Sequence, residues 1–182
     1  GIENANWVID RVPAIGMETN RRNAIVGEAL FLRAFYHFTL TKNFGDVVIR
    51  TSPSQSESDA LVAKSPKAEV YKQIFKDLED AIARLPSYVA STIKGRASKE
   101  VAIGLYAKAA LYAEDWTTAK TKSIEVINSG KYTLMPNVLD VFDVEKEDAA
   151  RQENMFAFEG DNATRARGTT LMGFCGPANS AS

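Results

Sequence analysis

The side chains that most often carry out catalysis are scarce in this 182-residue sequence. His37 is the only histidine, which excludes a zinc site built on a histidine pair. Cys175 is the only cysteine, which excludes an intrachain disulfide and any multi-cysteine metal site. A Ser-His-Asp triad would have to use His37, but this residue lies in the most apolar helical stretch, four residues after Arg33, and we expect it to be structural. The phosphate-binding motifs GxxxxGKS/T and GxGxxG are absent from the sequence. We therefore predict no cofactor, no metal and no enzymatic activity.

Carboxylates are the remaining candidates for chemistry. An acidic run lacks the central glycine and the spacing of an EF-hand, which favours a solvated surface over a calcium site; it consists of Asp140, Asp143, Glu145, Glu147 and Asp148. A glycoside hydrolase would need two carboxylates at a defined separation. Glu57 with Asp59, or Asp143 with Glu145, are close in sequence, but nothing in the sequence places either pair in one cleft. Hydrolysis is therefore the weakest of the functions considered.

Aromatic and amide side chains are better suited to binding than to catalysis. Exposed Trp and Tyr rings stack on the apolar C–H faces of sugars, while amides and carboxylates bond the sugar hydroxyls. We take Trp7 and Asn6, on the first predicted helix, and Tyr88, in a polar loop, as candidate ligand-binding residues. For both rings, packing inside the protein is the alternative interpretation, and Asn6 could equally be an ordinary surface residue.

The composition is that of one soluble globular domain, with 45% hydrophobic and 25% charged residues. Lys and Arg number 22 against 23 Asp and Glu, so the sequence lacks the basic excess of a duplex binder and we predict no nucleic-acid partner. No apolar stretch reaches the length of about 18 residues that a membrane span requires.

Hydrophobic periodicity predicts a mainly α-helical chain with little strand. The predicted helices cover residues 2–15, 20–43, 66–85, 99–113 and 116–129. Asp115 is the expected N-cap of the last helix, and Gly130 is expected to end it. Ser65 is the expected N-cap of the third helix, with Pro66 at its first position. Between the second and third helices, residues 46–49 are a short extended run and 51–56 a polar loop of the kind that is often functional. Residues 155–158 are predicted to form a strand.

The last two predicted helices are joined by so short a turn that they must fold back as an antiparallel hairpin. Small residues stand where the helices would approach each other, at Ala107, Ala110 and Ala119. This pattern is similar to a tetratricopeptide hairpin, in which small-on-small contact fixes the crossing and an aromatic fills the elbow. We expect Trp116 to be that buried aromatic. The predicted fold is thus a set of tetratricopeptide-like antiparallel helical hairpins.

Several segments, in order, resemble the SusD/RagB family. They are residues 28–36 (EALFLRAFY), 43–47 (NFGDV), 70–86, 95–119, 126–134 (VINSGKYTL) and 153–156 (ENMF), and the opening residues 1–6 also fit. The resemblance spans residues 1–158, which we assign to a SusD-like helical core, an α-α superhelix. Residues 159–182 would be the truncated start of an irregular C-terminal region that contributes to ligand binding.

The resemblance implies a surface-exposed lipoprotein of the outer membrane in Bacteroidetes-type bacteria. Such a protein binds a glycan or another nutrient and serves as the lid of a SusC-type TonB-dependent transporter. Its only membrane attachment would be a lipid anchor that has no counterpart in this chain, whose two ends look like cuts within a longer protein. Among the matching residues, we expect Arg33, Gly45, Asp46 and Arg96 to define the fold rather than to bind ligand. The alternative function is a tetratricopeptide-like adaptor that binds a peptide or protein in a concave groove rich in Asn, Lys or Arg.

Overall fold

The computed structural model describes residues 1–88, 96–143 and 146–156, and these form a helical array. Its α-helices are α1 (Ile2–Arg11), α2 (Thr19–Phe44), α3 (Lys67–Arg84), α4 (Lys99–Tyr112), α5 (Trp116–Ser129) and α6 (Glu147–Ala150). Short 3-10 turns occupy Val12–Ala14, Glu57–Ala60 and Val138–Phe142. Each helix from α1 to α4 packs against the helix that follows it along the chain. The mainly α, tetratricopeptide-like fold predicted from the sequence is confirmed.

Helix α2 is the centre of the molecule, because it packs against both α1 and α3. The Glu18 carboxylate caps its start by accepting hydrogen bonds from the amides of Asn20 (2.7 Å) and Arg21 (2.8 Å). The helix ends at Gly45, whose φ of 71° and ψ of −115° suit glycine far better than any other residue. Its inward side buries large apolar residues, among them Phe31, and so supplies much of the core.

The connection from α2 to α3 is held by an unexpected cap. Ser65 does not cap α3, contrary to the prediction; it pairs with Val47 in an antiparallel bridge. The Asp46 carboxylate instead accepts a hydrogen bond of 2.8 Å from the amide of Lys67, the first residue of α3. Within the described residues, that one bridge is the β structure found, so the extended run 46–49 is only marginally strand-like.

Helices α4 and α5 form the predicted antiparallel hairpin. Ala107, Ala110 and Ala119 are buried where the two helices meet, as the small-residue pattern predicts. Trp116 is not a buried plug, because 64% of its side chain is exposed. It is the first residue of α5, at the turn of the hairpin, whereas Ala119, three residues later, is buried.

The last described residues close over the core without forming a strand. Met155 and Phe156 lie in a bend, and the Phe156 ring meets the Phe31 ring edge-on at a centroid distance of 5.0 Å. The predicted strand therefore does not begin at Met155, and its residues 157–158 lie outside the described part of the chain. The predicted boundary at residue 158, the segment 159–182 and Cys175 also lie outside it, so the two-region division stays a prediction.

Candidate functional site

A buried ion pair between α2 and α3 is the electrostatic centre of the described structure. The Arg33 guanidinium donates from Nε to Asp77 Oδ2 at 2.8 Å and from Nη2 to Asp77 Oδ1 at 2.6 Å. The two side chains are only 6% and 1% exposed. Gln73 Nε2 donates a further hydrogen bond of 2.8 Å to Asp77 Oδ1. A paired and hydrogen-bonded charge of this kind avoids the cost of an isolated buried ion.

Asn6 extends this network to the loop after α2. Its amide oxygen accepts a hydrogen bond of 3.0 Å from Arg33 Nη1, which also donates to the Thr51 carbonyl at 2.9 Å. Its amide nitrogen donates to the Ser52 carbonyl at 2.9 Å. Asn6 is 1% exposed, so the predicted ligand-binding amide is used inside the protein. It fixes the polar loop against α1 and α2.

His37 is fully buried one turn after Arg33. Its Nε2 accepts a hydrogen bond of 3.3 Å from the Arg50 amide, so it too holds the loop after α2. Burial is the main cause that lowers its pKa; the neighbouring Asp77 acts in the opposite direction. A neutral, inaccessible imidazole has a structural role, as expected from the sequence.

An open cleft of about 530 Å³ lies above the ion pair, between α1, α2 and α3. Arg33 and Asp77 line its floor, and Arg22, Lys76 and Arg84 are among the side chains of its walls. The volume falls within the range of small-molecule sites. The floor is made of fully bonded charged groups, and in the walls Arg84 pairs with Asp80 at 3.2 Å, so a ligand would meet mainly Arg22 and Lys76.

Trp7 lies on α1, next to Asn6 in sequence, and is partly exposed. The Arg11 guanidinium stands 5.0 Å from the centroid of its ring, in a cation–π contact one turn further along the helix. The burial of Asn6 fixes this part of α1 in position, so the Trp7 ring is presented from a rigid base.

Tyr88 is partly buried at the end of the segment that follows α3. Its ring packs against Tyr132 at a centroid distance of 5.0 Å, and its amide donates a 2.7 Å hydrogen bond to Glu100 Oε2. Burial acts to raise the pKa of Glu100, but hydrogen bonds from Ser87 and from the Tyr88 amide outweigh it and hold the pKa below its usual value. No hydrogen bond, ion pair or ring contact in the described part of the chain joins Trp7, Asn6 and Tyr88 directly.

The remaining residues that match the family pattern have structural partners as well. Arg96 Nε pairs with Glu28 at 2.7 Å, which joins the start of the α4 segment to α2. Arg33, Gly45 and Asp46 respectively form the ion pair, end α2 and cap α3, as described above. One signal in the sequence pointed to this network: Arg33 and Asp77 are charged residues within apolar helical stretches. The sequence did not indicate that they are partners.

In residues 1–88, 96–143 and 146–156, no group of three His, Cys, Asp or Glu side chains is placed to hold a metal ion. In the acidic run, Asp140 pairs with Lys146 at 2.8 Å. None of the helices described is long and apolar enough to cross a membrane.

Comparison with known proteins identifies the fold and the family. Residues 1–111 match the family model SusD-like_3, described as starch-binding and associating with the outer membrane. The SusD-like protein P2 of Formosa agariphila is 31% identical over 162 residues, which are 87% of this chain and 32% of that protein. The SusD-like protein P25 of the same organism is 28% identical over 149 residues, covering 80% of this chain and 28% of that protein.

Solved structures agree with the sequence relatives. A SusD-like protein from Bacteroides fragilis NCTC 9343 shares the fold with a TM-score of 0.79 at 24% identity, over 88% of this chain and 32% of that one. A laminarin-binding SusD-like protein is 30% identical with a TM-score of 0.72, over 78% of this chain and 32% of that one. The chain thus spans about a third of the length of these relatives. With more than half of its residues matched by the family model, the chain belongs to the SusD-like family.

Proposed function

We propose that this chain is part of a surface glycan-binding protein that acts as the lid of a SusC-type TonB-dependent transporter. The observation that carries the proposal is the match of residues 1–111 to a family described as starch-binding and outer-membrane-associated. A relative of the same fold is named as laminarin-binding, which supports a glucan as the ligand class. The protein would lie at the outer surface of the outer membrane, held by a lipid anchor.

Binding without turnover is favoured by the state of the candidate catalytic groups. His37 is inaccessible. Asp59, one of the carboxylates considered for hydrolysis, accepts hydrogen bonds from the amides of Gln55 (2.6 Å) and Ser56 (3.0 Å). These bonds lower its pKa, whereas a general acid at neutral pH needs a raised one. We therefore propose that the protein releases its glycan unchanged.

Within this chain, we assign glycan contact to Trp7 and Tyr88. Both rings are partly accessible and both are held by neighbours, Trp7 by Arg11 and Tyr88 by Tyr132, so little side-chain entropy is lost when a sugar stacks on them. Asn6 contributes indirectly, since its bonds to Arg33 and the Ser52 carbonyl fix the helix that carries Trp7.

The test is calorimetric titration of the chain with laminarihexaose and maltoheptaose, followed by chromatography of the sugar. We expect binding in the micromolar to millimolar range and no shortened products. Trp7→Ala and Tyr88→Ala are each expected to weaken binding about threefold to tenfold, as the loss of one stacking contact implies. Phe142→Ala is the matched control, because that ring is 81% exposed and belongs to none of the residues assigned to binding. Equal losses in all three variants, or release of shorter sugars, would contradict the proposal.

The adaptor function keeps one observation in its favour. The cleft between α1, α2 and α3 is lined by Arg22, Asn23 and Lys76, the kinds of side chain with which a helical groove binds a peptide. Affinity purification from outer-membrane extracts separates the two functions. Recovery of a TonB-dependent transporter supports the lid function, and recovery of soluble partners alone supports the adaptor.

A further inference from the structure

A second, smaller pocket lies where the start of α3 faces the turn between α4 and α5. It has a volume of about 300 Å³ and is lined by Lys67, Ala68, Tyr71, Tyr112, Ala113 and Glu114. We call it the elbow pocket. Its volume is at the lower end of the range for ligand sites, about enough for one sugar ring.

The wall of the elbow pocket contains a buried hydroxyl without a partner. Tyr71 is 4% exposed, and its hydroxyl oxygen makes no hydrogen bond to any described residue. The ring packs against Phe75 at a centroid distance of 6.1 Å, and this contact does not involve the hydroxyl. A phenylalanine would keep these ring contacts and avoid the cost of an unbonded buried hydroxyl. The hydroxyl therefore lowers the stability of the chain.

The same wall contains a second unfavourable choice. Glu114 has a φ of +63°, and no other described residue apart from glycine has a positive φ. It stands just after the end of α4, where glycine is the usual residue because the left-handed conformation costs glycine nothing. The Glu114 carboxylate makes no hydrogen bond or ion pair within the described part of the chain. Glu114 thus has a charged side chain at a position where the backbone conformation favours glycine.

The other two polar residues that line the pocket, Lys67 and Tyr112, are also available for contact with a ligand. Lys67 Nζ stands 5.7 Å from the centroid of the Tyr71 ring and forms no ion pair with a described carboxylate. Tyr112 is 43% exposed, and its ring rests edge-on against Phe38 at a centroid distance of 5.4 Å. One ammonium and one carboxylate balance each other, so the pocket carries no net charge.

We propose that the elbow pocket binds one neutral hexose unit of an oligosaccharide, as a subsite of the glycan-binding function proposed above, on which this inference rests. The sugar's C–H face lies against Tyr112, and its hydroxyls bond to Glu114 and Lys67. One hydroxyl reaches Tyr71 and supplies the partner that its phenol lacks. The Tyr71 oxygen is shielded from solvent, so this contact requires a small displacement of a neighbouring side chain. Tyr112 is the one we expect to move, because it is more exposed than Tyr71.

The absence of net charge is what selects a neutral sugar over an ionic ligand. A phosphate or sulfate would be attracted by Lys67 but repelled by Glu114, and an amine would meet the opposite pair. A polyol instead uses both groups, since each of its hydroxyls donates to the carboxylate or accepts from the ammonium. Strained or unsatisfied groups that gather on one wall are typical of a functional site.

Two variants separate a binding role from a structural one, because each removes a local cost. In Tyr71→Phe and Glu114→Gly, we expect an unfolding midpoint equal to or higher than that of the unchanged chain. We also expect the affinity for maltoheptaose or laminarihexaose to fall about threefold to tenfold, the loss of one or two hydrogen bonds to the ligand. Tyr36→Phe, which removes a tyrosine hydroxyl outside the pocket, is the control and should leave the affinity unchanged.

The binding is followed by calorimetry and by the amide resonances of residues 111–116 during titration. Shifts in those resonances, together with weaker binding by both variants, support the inference. If the unchanged chain binds the sugar and both variants bind it equally well, the elbow pocket is not a subsite, while the proposed function stands. If the unchanged chain binds neither oligosaccharide, the proposed function and this inference are both overturned.

Discussion

Replacing Asp77 by asparagine should remove a large part of the stability of this chain. The substitution keeps the shape of the side chain but leaves the Arg33 guanidinium, 94% buried, without its counter-charge. It also turns one of the two oxygens that accept from Arg33, at 2.8 and 2.6 Å, into an NH₂ group that repels the donor. Removal of one partner from a buried pair costs about 3–5 kcal/mol. The whole stability of a domain is only about 5–15 kcal/mol.

Urea unfolding followed by circular dichroism measures this loss. With a slope of about 2 kcal/mol per molar urea, a loss of about 4 kcal/mol lowers the midpoint by about 2 M. Glu28→Gln is the matched control, because Arg96 and Glu28 form an ion pair of similar length, 2.7 Å, with the Arg96 side chain 46% exposed. The Glu28 side chain is 22% exposed, so this pair is much less buried than Arg33 and Asp77, and accessible pairs contribute about 0–1 kcal/mol.

The reasoning is refuted if Asp77→Asn and Glu28→Gln lower the free energy of unfolding by the same amount. A further comparison keeps the test informative if Asp77→Asn does not fold. In Arg33→Met with Asp77→Leu, no orphan charge remains, so the double variant should be more stable than Asp77→Asn. A double variant less stable than the single one would show that the hydrogen bonds, rather than the charge balance, hold the two helices together.

Three further predictions concern single positions. Asp46→Ala should cost about 1 kcal/mol in urea unfolding, because its carboxylate caps α3, whereas Ser65→Ala should change stability by less than about 0.5 kcal/mol. Gly45→Ala should cost about 1–3 kcal/mol from its backbone conformation (φ 71°, ψ −115°), since a Cβ at this glycine would meet nothing within 4 Å; a smaller loss would mean that the backbone relaxes. Burial lowers the pKa of His37 in the folded chain below the ordinary 6.5, so the unfolded state takes up the proton first. The contribution of the neutral His37 to stability is therefore present above about pH 6.5 and is lost as the pH drops below it. In thermal unfolding at several pH values, His37→Gln should show a smaller loss of stability at low pH than the unchanged chain.

Helix positions were predictable because they depend on local signals. The helix from Trp116 to Ser129 was placed by a capping Asp115 before it and Gly130 after it, and both residues act as predicted. Apolar periodicity gave the other helices to within one or two residues, apart from the end of α1, where the chain tightens into a 3-10 turn at Val12. Periodicity reports which side of a helix is buried, and so it sufficed for the fold class.

Pairings between distant residues were not predictable from the same signals. Ser65 was predicted to cap α3, but Asp46 does so, because the loop brings its carboxylate back to Lys67, 21 residues along the chain. Asn6 was predicted to bind ligand, because nothing local in the sequence indicates that its partner is Arg33, 27 residues away. Trp116 was expected to be buried because an aromatic fills the elbow of a tetratricopeptide hairpin, but at the start of α5 it is 64% exposed. Single-sequence patterns do not contain such three-dimensional information.

The buried network has a consequence for the order of folding. Arg33 and Asp77 are 44 residues apart, and Asn6 and Thr51 must arrive with them before all the hydrogen-bonding groups are satisfied. If Arg33 and Asp77 were buried before all their partners were in place, the desolvation cost of the charges would be only partly offset by hydrogen bonds. We therefore expect the helices to assemble first around Phe31 and its apolar neighbours, with the charges still hydrated, and the network to close late. In kinetic terms, damage to the network should speed unfolding while leaving the rate of folding almost unchanged.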